Sequence, residues 1–379
     1  MNILFFVSSM HAGGAERVAA TLANAWARRG DTVTLVCCYS GHGTCFYPLD
    51  EGVRLHWLAE RFARLRWAGP LKKLVAVRQV VRECRPDVIV SFLTNVNVTV
   101  LLATRGLHVP LVVCERTDPA WSTNLEPVLR RLRRWTYPWA SRVLMQTPQG
   151  VAHLRQVVPR ARRVSAIPNP LPPDLPAARM AESAEDGRRV LLAMGRFNPV
   201  KQFDLLIDVF AGLAQAHPDW DLVIWGDGAQ REALDAQVKR LGLEGRVSLP
   251  GRTEHPWREM LDAHAFVLSS RVEGFPNAML EAMAVGLPCV ALDCPSGPQE
   301  ISENGRVASL VPLGEPGALA AALAEVMGQT PAWRGSMGAR GAESVRARYG
   351  LDAVLQCWDE VLCVDKAQDK GENKHHGAV

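Results

Sequence analysis

No stretch of this 379-residue chain offers the roughly 18 to 20 uninterrupted apolar residues that a membrane-spanning helix needs. The nearest candidate, Val88 to Ala103, is broken by Asn95 and Asn97 and flanked by Asp87 and Arg105. The N-terminus, MNILFFVSS, lacks the basic n-region and small-residue cleavage site of a signal peptide and reads as a buried strand. Nine cysteines contain no CxxC pair, and Cys37 and Cys38 are adjacent in a strand-like run, where side chains face opposite ways. Reduced, mostly buried thiols of a cytoplasmic protein are the expectation, and secreted, disulfide-stapled and integral-membrane classes are excluded. His11, His42, His153 and His264 show no metal-ligand spacing. The chain opens without a GxGxxG fingerprint, and no acidic residue follows the second strand as a dinucleotide ribose ligand would.

What is present is globular: 48% apolar and 22% charged residues, in a length that favours two domains. The net charge of +4 conceals an asymmetry. Residues 1–170 hold 23 Lys and Arg against 10 Asp and Glu, whereas residues 171–379 hold 20 against 29. The basic half therefore expects an anionic partner.

Short apolar runs alternate with helical patterns from end to end. Ile3–Ser8, Thr32–Cys38, Asp87–Phe92, Leu111–Cys114 and Arg142–Gln146 read as strands of one sheet. Arg189–Met194, Leu222–Trp225, Arg246–Leu249, Ala265–Leu268 and Pro288–Leu292 read as strands of a second. Continuous apolar strands between amphipathic helices require parallel sheets covered on both faces, so the fold class is α/β with two doubly wound domains. The proline-rich run from Pro168 to Pro173 marks the break. Expected boundaries are 1–170 for the first domain, 171–187 for a linker and 188–335 for the second domain. A C-terminal helix over 336–363, packing back on the first domain, and a disordered tail over 364–379 complete the layout.

Three elements carry candidate chemistry. Gly13 and Gly14 sit between the first strand and a helix N-terminus, where the backbone can approach an anion closely. Gly195-Arg196-Phe197 followed by Lys201 puts two cations five residues apart after a strand, which suits a diphosphate. Glu273-Gly274-Phe275-Pro276-Asn277 leads into a helix bearing Glu281, an acid suited to bidentate bonds with vicinal hydroxyls. A plain tight turn, a solvated surface pair and solvated helix-flanking acids are the bland alternatives. Asp219 and Asp221 form an Asp-x-Asp beside a strand start, but no metal site is expected there.

GGAER, GRF-x3-K and EGFPNAMLEA, in this order and spacing, resemble the retaining GT-B glycosyltransferases of family four, from Ile3 to about Cys363. The run from Met283 through Ile301 is similar to the bacterial polysaccharide and glycan-assembly branch. The resemblance implies two Rossmann-like domains facing across a cleft, a UDP-hexose or UDP-N-acetylhexosamine donor and a lipid-diphosphate-linked acceptor. It places Gly13 and Gly14 against the donor and Arg196 and Lys201 on its diphosphate. Glu281 would then hold the ribose, Glu273 the transferred sugar, and Arg252 a position near the base. Gly274, Phe275, Pro276 and Asn277 would shape the sugar pocket. Relatives often carry a sugar-contacting His where Leu111–Cys114 ends; here Glu115 stands, followed by Arg116, and both join His11 as candidate acceptor or sugar contacts. Arg196, Lys201 and helix N-termini would stabilise the negative charge that builds on the leaving diphosphate, without a metal or other cofactor. An epimerase on the same architecture and a non-catalytic glycan- or membrane-binding protein are the rival readings.

Two basic, aromatic-rich groups remain. Arg61, Arg64, Arg66, Lys72 and Lys73 lie among Trp57, Phe62, Leu65, Trp67 and Leu71. Arg130, Arg131, Arg133 and Arg134 lie among Leu129, Leu132, Trp135, Tyr137 and Trp139. Such mixtures suit an anionic inner-membrane surface, and a solvated helix face is the alternative. No recognition fold for nucleic acid accompanies the charge.

Overall fold

The computed structural model describes residues 1–39, 45–62, 71–119, 125–178 and 187–372. The chain divides into two compact units: 1–172 with 351–379, and 173–350.

The first unit begins β1 (Asn2–Val7), α1 (Gly14–Arg28), β2 (Thr32–Cys37), β3 (Val53–Trp57), α2 (Leu58–Phe62) and α3 (Leu71–Cys84). It continues β4 (Val88–Phe92), α4 (Thr94–Thr104), β5 (Leu111–Cys114), α5 (Pro127–Thr136), β6 (Arg142–Met145), α6 (Pro148–Val157) and β7 (Val164–Ala166). Its seven strands are all parallel, in the order β3-β2-β1-β4-β5-β6-β7. The central strands are buried on both faces, as their unbroken apolar runs require.

The second unit runs β8 (Arg189–Met194), α7 (Phe203–Leu213), β9 (Trp220–Trp225), α8 (Arg231–Arg240), β10 (Val247–Gly251) and α9 (Pro256–Leu261). Then follow β11 (Ala265–Leu268), α10 (Asn277–Ala284), β12 (Cys289–Leu292), α11 (Pro298–Ile301), β13 (Ser309–Val311), α12 (Pro316–Gly328) and α13 (Pro331–Tyr349). The sheet is again parallel, β10-β9-β8-β11-β12-β13. In both sheets the order reverses between the first strand and the fourth. Loops leaving the carboxyl ends of those two strands diverge there, which is where open α/β sheets bind ligands.

The helical stretch expected over 336–363 is two helices. α13 stays in the second unit, and the chain then returns as α14 (Leu351–Glu372) to the first. α14 buries Val354, Leu355, Trp358, Val361 and Leu362 in the core that holds α1 and β1. Trp358 meets Trp26 edge-on at 5.3 Å, Trp26 meets Phe5 at 5.8 Å, and Arg29 pairs with Asp359 at 2.8 Å. Residues 364–372 of the expected tail continue that helix, and 373–379 lie outside the described residues. The expected linker is anchored over its described part: Leu171 and Leu175 are buried, and residues 179–186 lie outside the described residues. Among the described residues every cysteine is a free thiol, Cys37 and Cys38 included.

Candidate active site

The second unit gathers its chemistry at the switch point between β8 and β11. Phe197, fully buried against Phe203 at 5.5 Å, pins the loop that leaves β8. That loop is bonded to the turn after β9: Gly195 donates to the Trp225 carbonyl (3.0 Å), Phe197 to Asp227 (2.9 Å), and Gln230 to Phe197 (3.2 Å). Gly226 and Gly228 have φ of +153° and +157°, and a Cβ on either would collide with the carbonyl oxygens of Gly195 or Phe197. Only glycine lets the two backbones close to this distance.

Further along the same loop, the Asn198 side-chain oxygen accepts from the backbone N–H of Val200 (3.1 Å) and Lys201 (3.3 Å). The Ser269 hydroxyl at the end of β11 donates to the Lys201 carbonyl at 2.7 Å. So held, the Lys201 ammonium lies 2.6 Å from the Glu273 carboxylate. The loop after β12 supports the acid from below: Glu273 donates its N–H to the Pro295 carbonyl (2.7 Å) and accepts from Ser296 (2.9 Å). The Ser296 hydroxyl donates to the Gly274 carbonyl at 3.1 Å. Gly297, at φ +110°, presses on Pro276, where a Cβ would come within 2.6 Å of the proline ring. Phe275 is buried edge-on against Tyr349 of α13 at 5.4 Å. Gly274 to Asn277 therefore form a braced backbone turn at the N-terminus of α10, the end of a helix that favours negative charge.

The structure brings Lys201 and Glu273 together as a direct ion pair, a contact that assigning one to phosphate and the other to sugar does not anticipate. Arg196 is exposed, with no ion pair among the described residues. Glu281 is 2% exposed and accepts from the Trp257 indole of α9 at 3.1 Å. Arg252 is a surface side chain 3.9 Å from Asp227, a geometry worth little by itself. Asp219 and Asp221 are spoken for by cations: Arg189 pairs with the first, Arg188 and Arg246 with the second.

In the first unit the glycine turn is held from β3's side of the sheet. The Tyr47 hydroxyl accepts from the Gly13 N–H (3.1 Å) and donates to the Gly13 carbonyl (3.0 Å). Glu16, in the first turn of α1, accepts from the Ser9 hydroxyl at 2.9 Å. Gly14 and His11 are exposed. Beside this turn lies a small recess bounded by Ser8, Ser9, Glu16, Phe92 and Leu93. Arg116 stacks its guanidinium 4.1 Å over the Phe92 ring, and one terminal nitrogen is buried with no hydrogen-bond partner among the described residues. Burial lowers this guanidinium to about 10.

Glu115 is a correction to the sequence reading. It is 2% exposed, and its two carboxylate oxygens are engaged inside the unit by Thr94 (2.7 Å) and Tyr137 (2.6 Å), with Arg133 at 3.6 Å. Asn97 donates to the Tyr137 hydroxyl (3.0 Å) and to the Cys114 carbonyl (3.0 Å), extending the network under β5. Burial first, then the adjacent Glu115 charge, pushes the Tyr137 hydroxyl well above its ordinary value. Such a carboxylate braces strand β5 and does not present itself to a ligand.

Arg133 is the second correction. The four arginines of α5 do not share a face, because each residue advances the helix by about 100°. Leu129, Leu132, Arg133 and Thr136 follow the i, i+3, i+4, i+7 stripe that packs inward, and Arg133 is 3% exposed. Arg130, Arg131 and Arg134 remain exposed, together with Val128 and Trp135. In the other basic group Arg61 pairs with Glu83 at 2.7 Å, and the Lys73 ammonium sits 3.3 Å from the Tyr39 ring centroid. Arg64, Leu65, Arg66 and Trp67 lie outside the described residues.

Sequence reasoning missed Tyr47, Trp257, Ser296 and the Gly-Asp-Gly turn at 226–228. The last had a signal, a glycine pair immediately after a strand; the other three act through partners far away in the chain.

Comparison with known proteins follows the same division. Residues 13–170 match the glycosyl transferase 4-like domain and residues 176–341 match glycosyl transferases group 1. Over 288 residues the chain is 30% identical to a Campylobacter jejuni enzyme, spanning 75% of this chain and 77% of that one. That enzyme is the GalNAc-alpha-(1->4)-GalNAc-alpha-(1->3)-diNAcBac-PP-undecaprenol alpha-1,4-N-acetyl-D-galactosaminyltransferase. The amylovoran biosynthesis glycosyltransferase AmsD of Erwinia amylovora is 25% identical over 93% of this chain and 96% of its own. Sucrose-phosphate synthase from Thermosynechococcus elongatus is similar in structure, with a TM-score of 0.83 at 20% identity, over 96% of this chain and 99% of that one. Alr3699/HepE from Anabaena, solved in complex with UDP and glucose, gives 0.80 at 22% identity, over 96% and 99%.

Proposed function

This chain is a family four GT-B glycosyltransferase of bacterial glycan assembly, and from that premise we propose its reaction: transfer of a hexose or N-acetylhexosamine from a UDP-sugar, with retention and without a metal ion, onto a polyprenyl-diphosphate-linked glycan. The observation that carries this reading is the braced Lys201–Glu273 pair beside exposed Arg196 at the second switch point. Breaking the bond between a sugar and a nucleoside diphosphate builds negative charge on the leaving oxygen. A donor diphosphate would compete with Glu273 for the Lys201 ammonium while Arg196 forks onto the other phosphate. These fixed cations stabilise the leaving group more in the transition state than in the ground state, the role a metal plays elsewhere. Glu273, relieved of its partner, turns to the hydroxyls of the departing sugar. The phosphate oxygen can then accept the proton of an acceptor hydroxyl attacking from the same face. Glu281 binds the ribose diol, Arg252 lies toward the base, and Gly274 to Asn277 close around the sugar.

In the first unit we assign Gly13 and Gly14 to the donor, and His11 and Arg116 to the acceptor or the transferred sugar. A buried guanidinium nitrogen without a partner among the described residues is costly, and a ligand oxygen reaching Arg116 would satisfy it. The substrate in the Campylobacter jejuni enzyme's name supports a diphosphate-linked acceptor. The exposed Arg130, Arg131, Arg134, Val128 and Trp135 of α5 suit the anionic inner face of the cytoplasmic membrane, where such an acceptor resides. No helix among the described residues is long and apolar enough to cross a membrane.

The test is incubation with a panel of UDP-sugars and polyprenyl-diphosphate glycans, reading the product by mass and its anomeric configuration by NMR. One added sugar, the donor's anomeric configuration kept, and turnover undiminished by EDTA are expected. Lys201→Ala should lower kcat/KM by about 10²- to 10³-fold, the cost of losing one transition-state charge partner. Inversion, or activity lost to EDTA and restored only by added Mn²⁺, would overturn the mechanism.

A further inference from the structure

Glu281 and Trp257 come from different segments of the second unit, the acid on α10 and the indole on α9. With 2% of its surface exposed, the Glu281 carboxylate must be hydrogen-bonded to be tolerated as an anion. The Trp257 indole N–H, 3.1 Å from one carboxylate oxygen, is one of its donors. An indole nitrogen can donate but never accept, so it cannot itself take a ligand's hydroxyl proton. Its effect is on orientation. A bond to one oxygen fixes the plane of the carboxylate, and bidentate recognition of a vicinal diol depends on that plane. Trp257 follows the same β10–α9 connection that carries Arg252, so the indole links the loop assigned to the base with the acid assigned to the ribose.

We propose that Trp257 is a positioning residue that aims Glu281 at the 2′- and 3′-hydroxyls of the nucleotide, and so sets the preference of this site for ribonucleotides. The proposal rests on the ribose role of Glu281 given above, and the experiment separates the two. Calorimetric titration of the full chain with UDP and with 2′,3′-dideoxy-UDP gives one affinity ratio per variant, and any fraction of inactive protein affects both ligands alike. The wild-type chain should prefer UDP, and Glu281→Ala should abolish that preference. Trp257→Phe keeps an aromatic ring against α10 and deletes only the N–H. It should lower the UDP preference about tenfold, the scale of one hydrogen bond to a charged group, while dideoxy-UDP affinity stays near wild type. Trp257→Met serves in the same way if the phenylalanine variant does not fold.

If Glu281→Ala removes the preference and Trp257→Phe leaves it intact, the positioning role is overturned and the ribose role stands. Equal weakening of both nucleotides by Trp257→Phe would mark the indole as packing alone and would also overturn it. A preference that survives Glu281→Ala overturns the ribose role, and the positioning role with it.

Discussion

Two sheets of one topology place an acid beside a central strand and treat it in opposite ways. In the first unit Glu115, at the end of β5, is 2% exposed and enclosed by Thr94, Tyr137 and Arg133. In the second, the Glu273 side chain is 12% exposed and held at the rim by one flexible lysine. Both acids are ion-paired, but the second pair is the more exposed, its lysine and acid side chains 20% and 12% accessible against 4% and 3% for Arg133 and Glu115. The difference arises in the loops and not in the strands: Arg133 reaches Glu115 from the inward stripe of α5, whereas Lys201 reaches Glu273 from a braced turn. Similar scaffolds thus enclose a carboxylate in one unit and leave one partly open in the other, where the proposed reaction uses it.

The sharpest way to break this comparison is to remove the buried acid. Glu115→Ala strands the Arg133 charge in the interior and should destabilise the protein by about 3 to 5 kcal/mol. Urea unfolding measures the loss, and UDP affinity of the folded fraction should be unchanged. A variant that unfolds like wild type but loses activity would move Glu115 from brace to ligand contact. Next in size is the outer face of α5. Arg130, Arg131 and Arg134 each contribute about 1 kcal/mol near an anionic surface, so replacing all three with alanine should weaken vesicle partitioning about 100-fold. Co-sedimentation with phosphatidylglycerol vesicles checks this, and Arg133 is left in place because it is part of the core. Unchanged partitioning would assign the patch to solvent.

The last effect is one in which the two units should behave alike. Burial pushes the thiols of Cys38 and Cys114 in the first unit up from 9.0 to about 12, and raises Cys289 and Cys294 in the second. The native state keeps protons that the unfolded chain releases above pH 9. Stability is therefore complete below that pH and falls as pH rises toward 12. Urea midpoints between pH 8 and 10.5 measure the slope. A flat profile would mean that these thiols are not shielded in solution.

Strand positions were legible because fully buried parallel strands are written as unbroken apolar runs. Leu111–Cys114, Arg189–Met194 and Ala265–Leu268 have the expected limits. The short β7 and β13, and β3 with its partly exposed residues, lack such runs and escaped notice. Arg196, Lys201, Glu273 and Glu281 stood out because their spacing within loops and helix starts is local, and the structure brings Lys201 and Glu273 into contact. The misreading of Arg133 came from counting charges along the chain instead of around the helix, where Leu129, Leu132 and Thr136 already mark its inward stripe. Tyr47, Trp257 and Ser296 left no local trace, since each acts on a residue at least 22 positions away.

The return of α14 to the first unit has a consequence for how the protein is made. Trp26, Phe5 and their neighbours have no lid of their own; Trp358 and Leu362 supply it from the far side of an entire second unit. On the ribosome the first sheet must therefore wait, with an apolar flank uncovered, until some 180 further residues have emerged. A chain cut just before Leu351 would retain every residue assigned to the donor and still expose that flank, leaving a polypeptide prone to self-association.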